Sequence, residues 1–121
     1  MSTPRRITHL IGHSAWEGTA ERTGDVFNPA TGEVTGKVDF ASKALVDEIV
    51  AKAGVAAAEW GQTSLAKRTQ VLFAFRQLLN DNKERIGAII TSEHGKVTSD
   101  AIGEVTRGLE VAEFACGIPH L

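Results

Sequence analysis

The chain has 121 residues, 42% of them hydrophobic and 23% charged, a balance that suits one small folded domain and argues against a disordered chain. Its 13 lysines and arginines face 15 aspartates and glutamates, and a net charge of -2 gives nucleic acid or an anionic membrane no electrostatic footprint. A single cysteine, Cys116, excludes an intrachain disulfide, and no apolar run has signal-peptide or membrane-spanning length, so the expectation is a cytoplasmic protein.

Residues 7 to 40 are rich in Thr, Val and Gly, with short apolar groups such as Ile7, Leu10 and Ile11. Within them Asn28-Pro29-Ala30-Thr31-Gly32 reads as a turn: Pro29 fixes φ early, and Gly32 can take the positive φ that closes a hairpin. Strands are expected around Ala20 to Phe27 and Glu33 to Val38, forming a β-ribbon that needs something to pack against.

From Ser42 the apolar period becomes helical. Leu45, Val46, Ile49, Val50, Ala53, Ala56, Ala57 and Trp60 recur at three- and four-residue spacing, with Ser42 as N-cap and Gly61 as stop. Ser64 caps a second helix with Leu65, Leu72, Phe75 and Leu79 on one face, broken at Asn80-Asp81-Asn82. Asp81 and Glu84 form a capping-box pattern for a third helix, which carries Ile86, Ile89 and Ile90 and stops at Gly95. A fourth helix starts at Thr98 or Ser99 and runs to about Cys116, where Gly117 and Pro119 end it. The expected fold class is α+β, mostly helical: a β-ribbon followed by four helices.

The fourth helix places Ala101, Ile102, Val105, Leu109, Ala112 and Cys116 on one broad apolar side, which Val111, Phe114 and Ala115 widen. A helix apolar over most of its circumference is normally buried, so a partner surface is implied.

Few residues carry chemistry. Cys116, at a helix C-terminus where the dipole disfavours a thiolate, reads as a small buried hydrophobe. His9, His13, His94 and His120 lack metal-ligand spacing, and no metal site is expected. His94 falls in the last turn of the third helix, where a cation favours the carbonyl ends. No GxGxxG or P-loop pattern occurs, so no cofactor-binding residue is assigned. Trp16 and Trp60 read as packing anchors, and Phe73 and Phe75 as parts of the helical core. Arg107 is the charge of interest. Glu104 and Glu110, three residues to either side, offer it an ordinary surface ion-pair lattice. The alternative is that its planar fork of donors projects toward a carboxylate-bearing ligand. Gly103 and Gly108 flank it, poor helix formers that suggest close approach by another backbone or a ligand.

Phe27-Asn28-Pro29-Ala30-Thr31-Gly32-Glu33-Val34 resembles a segment near the start of aldehyde dehydrogenases. The order that follows is similar too: an Ala-rich helix ending in Trp60, then Arg68, Leu72-Phe73-Ala74-Phe75, Leu78-Leu79 and Glu93-His94-Gly95-Lys96. The run from Asp100 to Val111, followed by Glu113 to Pro119, resembles the CoA-acylating methylmalonate-semialdehyde dehydrogenases of that family. The resemblance implies that Arg107 helps hold the substrate carboxylate. It also implies a longer parent that uses NAD and coenzyme A, with a catalytic cysteine located after this segment. On that reading residues 1–121 form a partial domain, with strands over 1–40 and a helical segment over 41–121 packing on a missing cofactor domain. The chain alone, holding no catalytic residue, is expected to be inactive. Expected partners are the remainder of the subunit and other subunits of a homo-oligomer, with self-association of the fragment. The alternative is a stand-alone, non-enzymatic helical binding or assembly module.

Overall fold

The computed structural model describes residues 4–121, which gather into two compact units, one reaching Gly61 and the other spanning Gln62–Leu121.

In the first unit β1 (Arg5–Ile7), β4 (Arg22–Phe27) and β5 (Val34–Phe40) form a sheet in the order β1-β5-β4, while β2 (Leu10–Ile11) and β3 (Ser14–Ala15) pair separately. The β4–β5 hairpin is the expected ribbon. Asn28 sets its turn: the Oδ1 accepts from the Ala30 N–H at 2.8 Å, and the carbonyl accepts from the Gly32 N–H at 2.8 Å. Gly32 closes the turn at φ 73°. Cross-strand pairs then fix the register, with Asp25 opposite Lys37 as an ion pair and Arg22 opposite Phe40 as a cation–π contact. The Phe40 ring lies over Gly24, where a Cβ would stand 2.6 Å from Cζ.

Two features of this unit go beyond the expected ribbon. β1 runs parallel to β5, with Arg6 opposite Lys37, so β5 is the central strand. The β2–β3 hairpin turns through Gly12 and His13, at φ 56° and 73°, the positive pair that a two-residue turn requires. Trp16 is anchored as expected. Its ring covers Gly18, tilts against His9 at 5.4 Å between centroids, and lies 6.0 Å from the Arg6 guanidinium carbon. Arg6 reaches past Trp16 to the buried Asp39, donating from Nε at 2.8 Å.

Helix α1 (Lys43–Gly61) begins as expected, the Ser42 hydroxyl accepting from the Leu45 N–H at 3.1 Å. Its apolar stripe is only partly covered: Leu45 and Ile49 are half-buried, no α1 residue is fully buried, and Val46, Val50 and Trp60 are exposed. Trp60, expected as a packing anchor, is 47% exposed and is not part of a buried core among the described residues.

The second unit is built around α4 (Thr98–Cys116), against which α2 (Leu65–Asp81) and α3 (Lys83–His94) both pack. Ala101, Val105, Leu109, Ala112 and Cys116 form its buried stripe, at the spacing read from the sequence. Central position explains why α4 alone buries such a stripe. The α2–α4 seam also carries an ion pair, Arg76 to Glu113, in which both Nε and Nη2 donate to one carboxylate oxygen. Gly87 of α3 is buried against Ile102, where a Cβ would lie 2.8 Å from Cγ1. Phe73 and Phe75, expected in the core, are exposed on α2.

Helix ends follow local chemistry. Ser64 accepts from the Lys67 N–H at 3.4 Å, and Gly95 ends α3 in the left-handed region at φ 83°. The capping box expected at Asp81 and Glu84 does not form. Helix α2 continues through Asp81, whose carboxylate accepts from the Gln77 amide at 2.7 Å, and Asn82 becomes the junction residue. After α4, a short 3-10 turn, Ile118–His120, packs on α2 and α4. Among the described residues no helix is long and apolar enough to cross a membrane.

Candidate functional site

The functional reading of the sequence rests on Arg107, and the second unit fixes its setting. The buried stripe of α4 faces α2 and α3, and at 100° per residue Arg107 falls on the opposite side of the helix. It is exposed there, with Val111 and Phe114, both 69% exposed, on the following turns of the same side. Gly103 and Gly108 flank it, and a Cβ built on either meets nothing within 4 Å. The close approach expected at these glycines is thus not made among the described residues. What they leave is an open backbone surface on either side of a guanidinium.

The Glu104–Arg107–Glu110 ion-pair lattice is not formed. Glu104 is paired with Lys96, which reaches it from the loop following Gly95. Neither Arg107 nor Glu110 makes a hydrogen bond or ion pair among the described residues. The hydrogen bond from Lys96, then its charge, hold the Glu104 carboxyl below its ordinary value. His94 and Arg107 pull in the same direction more weakly. The structure therefore brings together Lys96, Glu104, His94 and Arg107 at one end of the α3–α4 pair. Sequence spacing missed the Lys96–Glu104 contact because eight residues and a helix break separate the partners.

A second feature is a groove on the α2–α4 seam, lined by Phe73, Arg76, Gln77, Glu113 and Cys116. Cys116 is buried as expected, its thiol donating to the Ala112 carbonyl at 3.3 Å. Arg76 and Glu113 satisfy each other across the groove, and no base contacts the thiol. His9 lies between β1 and β2, His13 in the β2–β3 turn, and His94 sits in the last turn of α3 as expected.

A dinucleotide cradle needs open backbone N–H groups at a helix start, reached through a glycine-bearing turn from a strand. The β5-to-α1 passage runs through Ala41 and Ser42, carries no glycine, and has the Ser42 hydroxyl on the helix N-terminus. That passage does not form such a cradle.

The model of the aldehyde dehydrogenase family matches residues 16–120. A malonate-semialdehyde dehydrogenase of Listeria monocytogenes is 41% identical over 121 residues, covering 100% of this chain and 25% of the relative. Malonate-semialdehyde dehydrogenase 2 of Bacillus cereus is 40% identical over 120 residues, again with 25% of its length covered. Among solved structures, the methylmalonate-semialdehyde dehydrogenase of Oceanimonas doudoroffii superposes with a TM-score of 0.90 at 40% identity, over 96% of this chain and 24% of that one. A candidate methylmalonate-semialdehyde dehydrogenase of Sinorhizobium meliloti 1021, in complex with NAD, gives 0.92 at 42% identity, over 99% of this chain and 24% of that one. The chain thus spans about a quarter of the length of the curated relatives it matches. With the ordered ribbon and four helices superposing on an N-terminal portion of these enzymes, the chain belongs to the aldehyde dehydrogenase family.

Proposed function

We propose that these residues are the N-terminal segment of an NAD-dependent, CoA-acylating dehydrogenase acting on malonate or methylmalonate semialdehyde. Arg107 is its contribution to substrate binding. The observation that carries the reading is the state of Arg107: exposed, unpaired among the described residues, and flanked by open glycines on a helix whose other side is fully engaged. A helix residue with nothing to hold is poor support for the fold and good support for a ligand. The planar guanidinium offers a carboxylate two parallel hydrogen bonds, which a semialdehyde bearing an acid group can accept.

The segment holds no catalytic group and no cofactor cradle, so both cofactors and the reacting nucleophile are supplied by the rest of a cytoplasmic polypeptide. Alone, the 121-residue chain is inactive. In the full-length enzyme Arg107→Ala should raise KM for the carboxylated aldehyde by about ten- to a hundredfold, the worth of a lost charge-assisted hydrogen bond. KM for an uncharged aldehyde should move far less. Equal effects on the two substrates would remove Arg107 from the binding site.

A further inference from the structure

Glu104 lies one turn before Arg107 on α4, the spacing and order at which a glutamate and a cation attract each other across a helix surface. An unoccupied Glu104 would compete with any incoming carboxylate for the same guanidinium. It is not unoccupied, because Lys96 holds it.

We infer that Lys96 is a positioning residue, which binds the Glu104 carboxylate and so keeps Arg107 free for an acidic substrate. The inference rests on Arg107 binding that substrate. Three features make Lys96 the stronger claimant. Its side chain is only 21% exposed, against 52% for Glu104, so most of its stem is packed and its head has little freedom to lose. Its backbone is aimed by the left-handed turn at Gly95, which ends α3 and sends the chain back toward α4. The donor is an ammonium that takes one oxygen of the Glu104 carboxylate and brings a full positive charge beside it. His94 reinforces the arrangement from the last turn of α3, adding positive potential at Glu104 without bonding to it. The Glu-x-Gly-Lys run therefore has a task in binding as well as in ending a helix: Gly95 makes the turn, and Lys96 occupies the acid that would otherwise mask the binding arginine.

The test uses the full-length enzyme and the ratio of KM for a carboxylated aldehyde to KM for an uncharged one. Lys96→Met keeps the packed stem and removes the charge. It should raise this ratio by about twofold or more, as expected for an exposed pair newly formed between Glu104 and Arg107. Adding Glu104→Gln to that variant should return the ratio to the parent value, and Glu104→Gln alone should leave it at or below that value. A crystal structure of the Lys96→Met variant should show Glu104 within hydrogen-bond distance of Arg107. An unchanged ratio in Lys96→Met, or one that stays high in the double variant, would overturn the inference. Arg107→Ala separates this outcome from failure of the underlying reading. If that variant loses preference for the carboxylated aldehyde while Lys96→Met does not, only the role of Lys96 falls.

Discussion

Asp39 is a carboxylate 5% exposed in a strand, and it remains charged because Arg6 comes to it from the neighbouring strand. The Arg6 hydrogen bond is the largest influence on its carboxyl, and burial opposes it; with Thr8 and the nearby positive charges the balance falls below the ordinary 3.8. The folded chain therefore holds this proton more weakly than the unfolded chain. Stability from Asp39 is complete above pH 3.8 and is lost as the pH falls through the lower, folded value. Asp39→Asn should lower the urea midpoint at pH 7, and the gap from the parent should close in strongly acid solution. A gap that persists at every pH would assign the loss to packing. Neither Arg6–Asp39 nor Lys96–Glu104 was legible in the sequence, since 33 and 8 residues separate the partners. Arg107 was legible as a residue type on a helix, but its freedom depended on where Lys96 would land.

At the level of elements, the helices were read closely because their signals are local. Ser42, Ser64 and Gly95 act as the cap and stop residues they resemble, and the apolar stripe of α4 is the one that is buried. The missed strands are two or three residues long and owe their order to pairing: β1 to a parallel neighbour far along the chain, β2 and β3 to positive φ at Gly12 and His13. The capping box does not form because α2 continues through Asp81 and Asn82 takes the N-cap position of α3. The glycine that packs is Gly87, buried against Ile102, while Gly103 stands in open space. Alanine has opposite consequences at the two sites. In the chain, Gly103→Ala should stabilise by about 0.5–1 kcal/mol through helix propensity. Gly87→Ala should destabilise by about 1 kcal/mol, because overpacking the α3–α4 seam outweighs that gain. Thermal unfolding of both variants checks the contrast, and a stabilised Gly87→Ala would mean that the seam can open without cost.

Taken whole, the chain leaves much apolar surface uncovered. No residue of α1 is buried, and Val50, Val55, Val111, Phe114 and Leu121 are exposed. Phe73 and Phe75 depart from the core expected of them for the same reason: their helix faces are apolar, but the described residues leave both more than half exposed. Exposed apolar faces favour association, so the purified chain should be larger than a monomer by light scattering and should dissociate on dilution. A stable monomer at all concentrations would show that these faces need no partner. The second unit also carries its own reporter. Cys116 is the only thiol in the sequence and ends the buried stripe of α4, its sulfur turned onto the Ala112 carbonyl. Cys116 is 7% exposed beside the α2–α4 groove, so a thiol reagent meets it far more readily when that end of α4 leaves its seat. The rate at which the chain is labelled therefore rises with opening of the helix that carries Arg107, a reporter of local opening that needs no engineered probe.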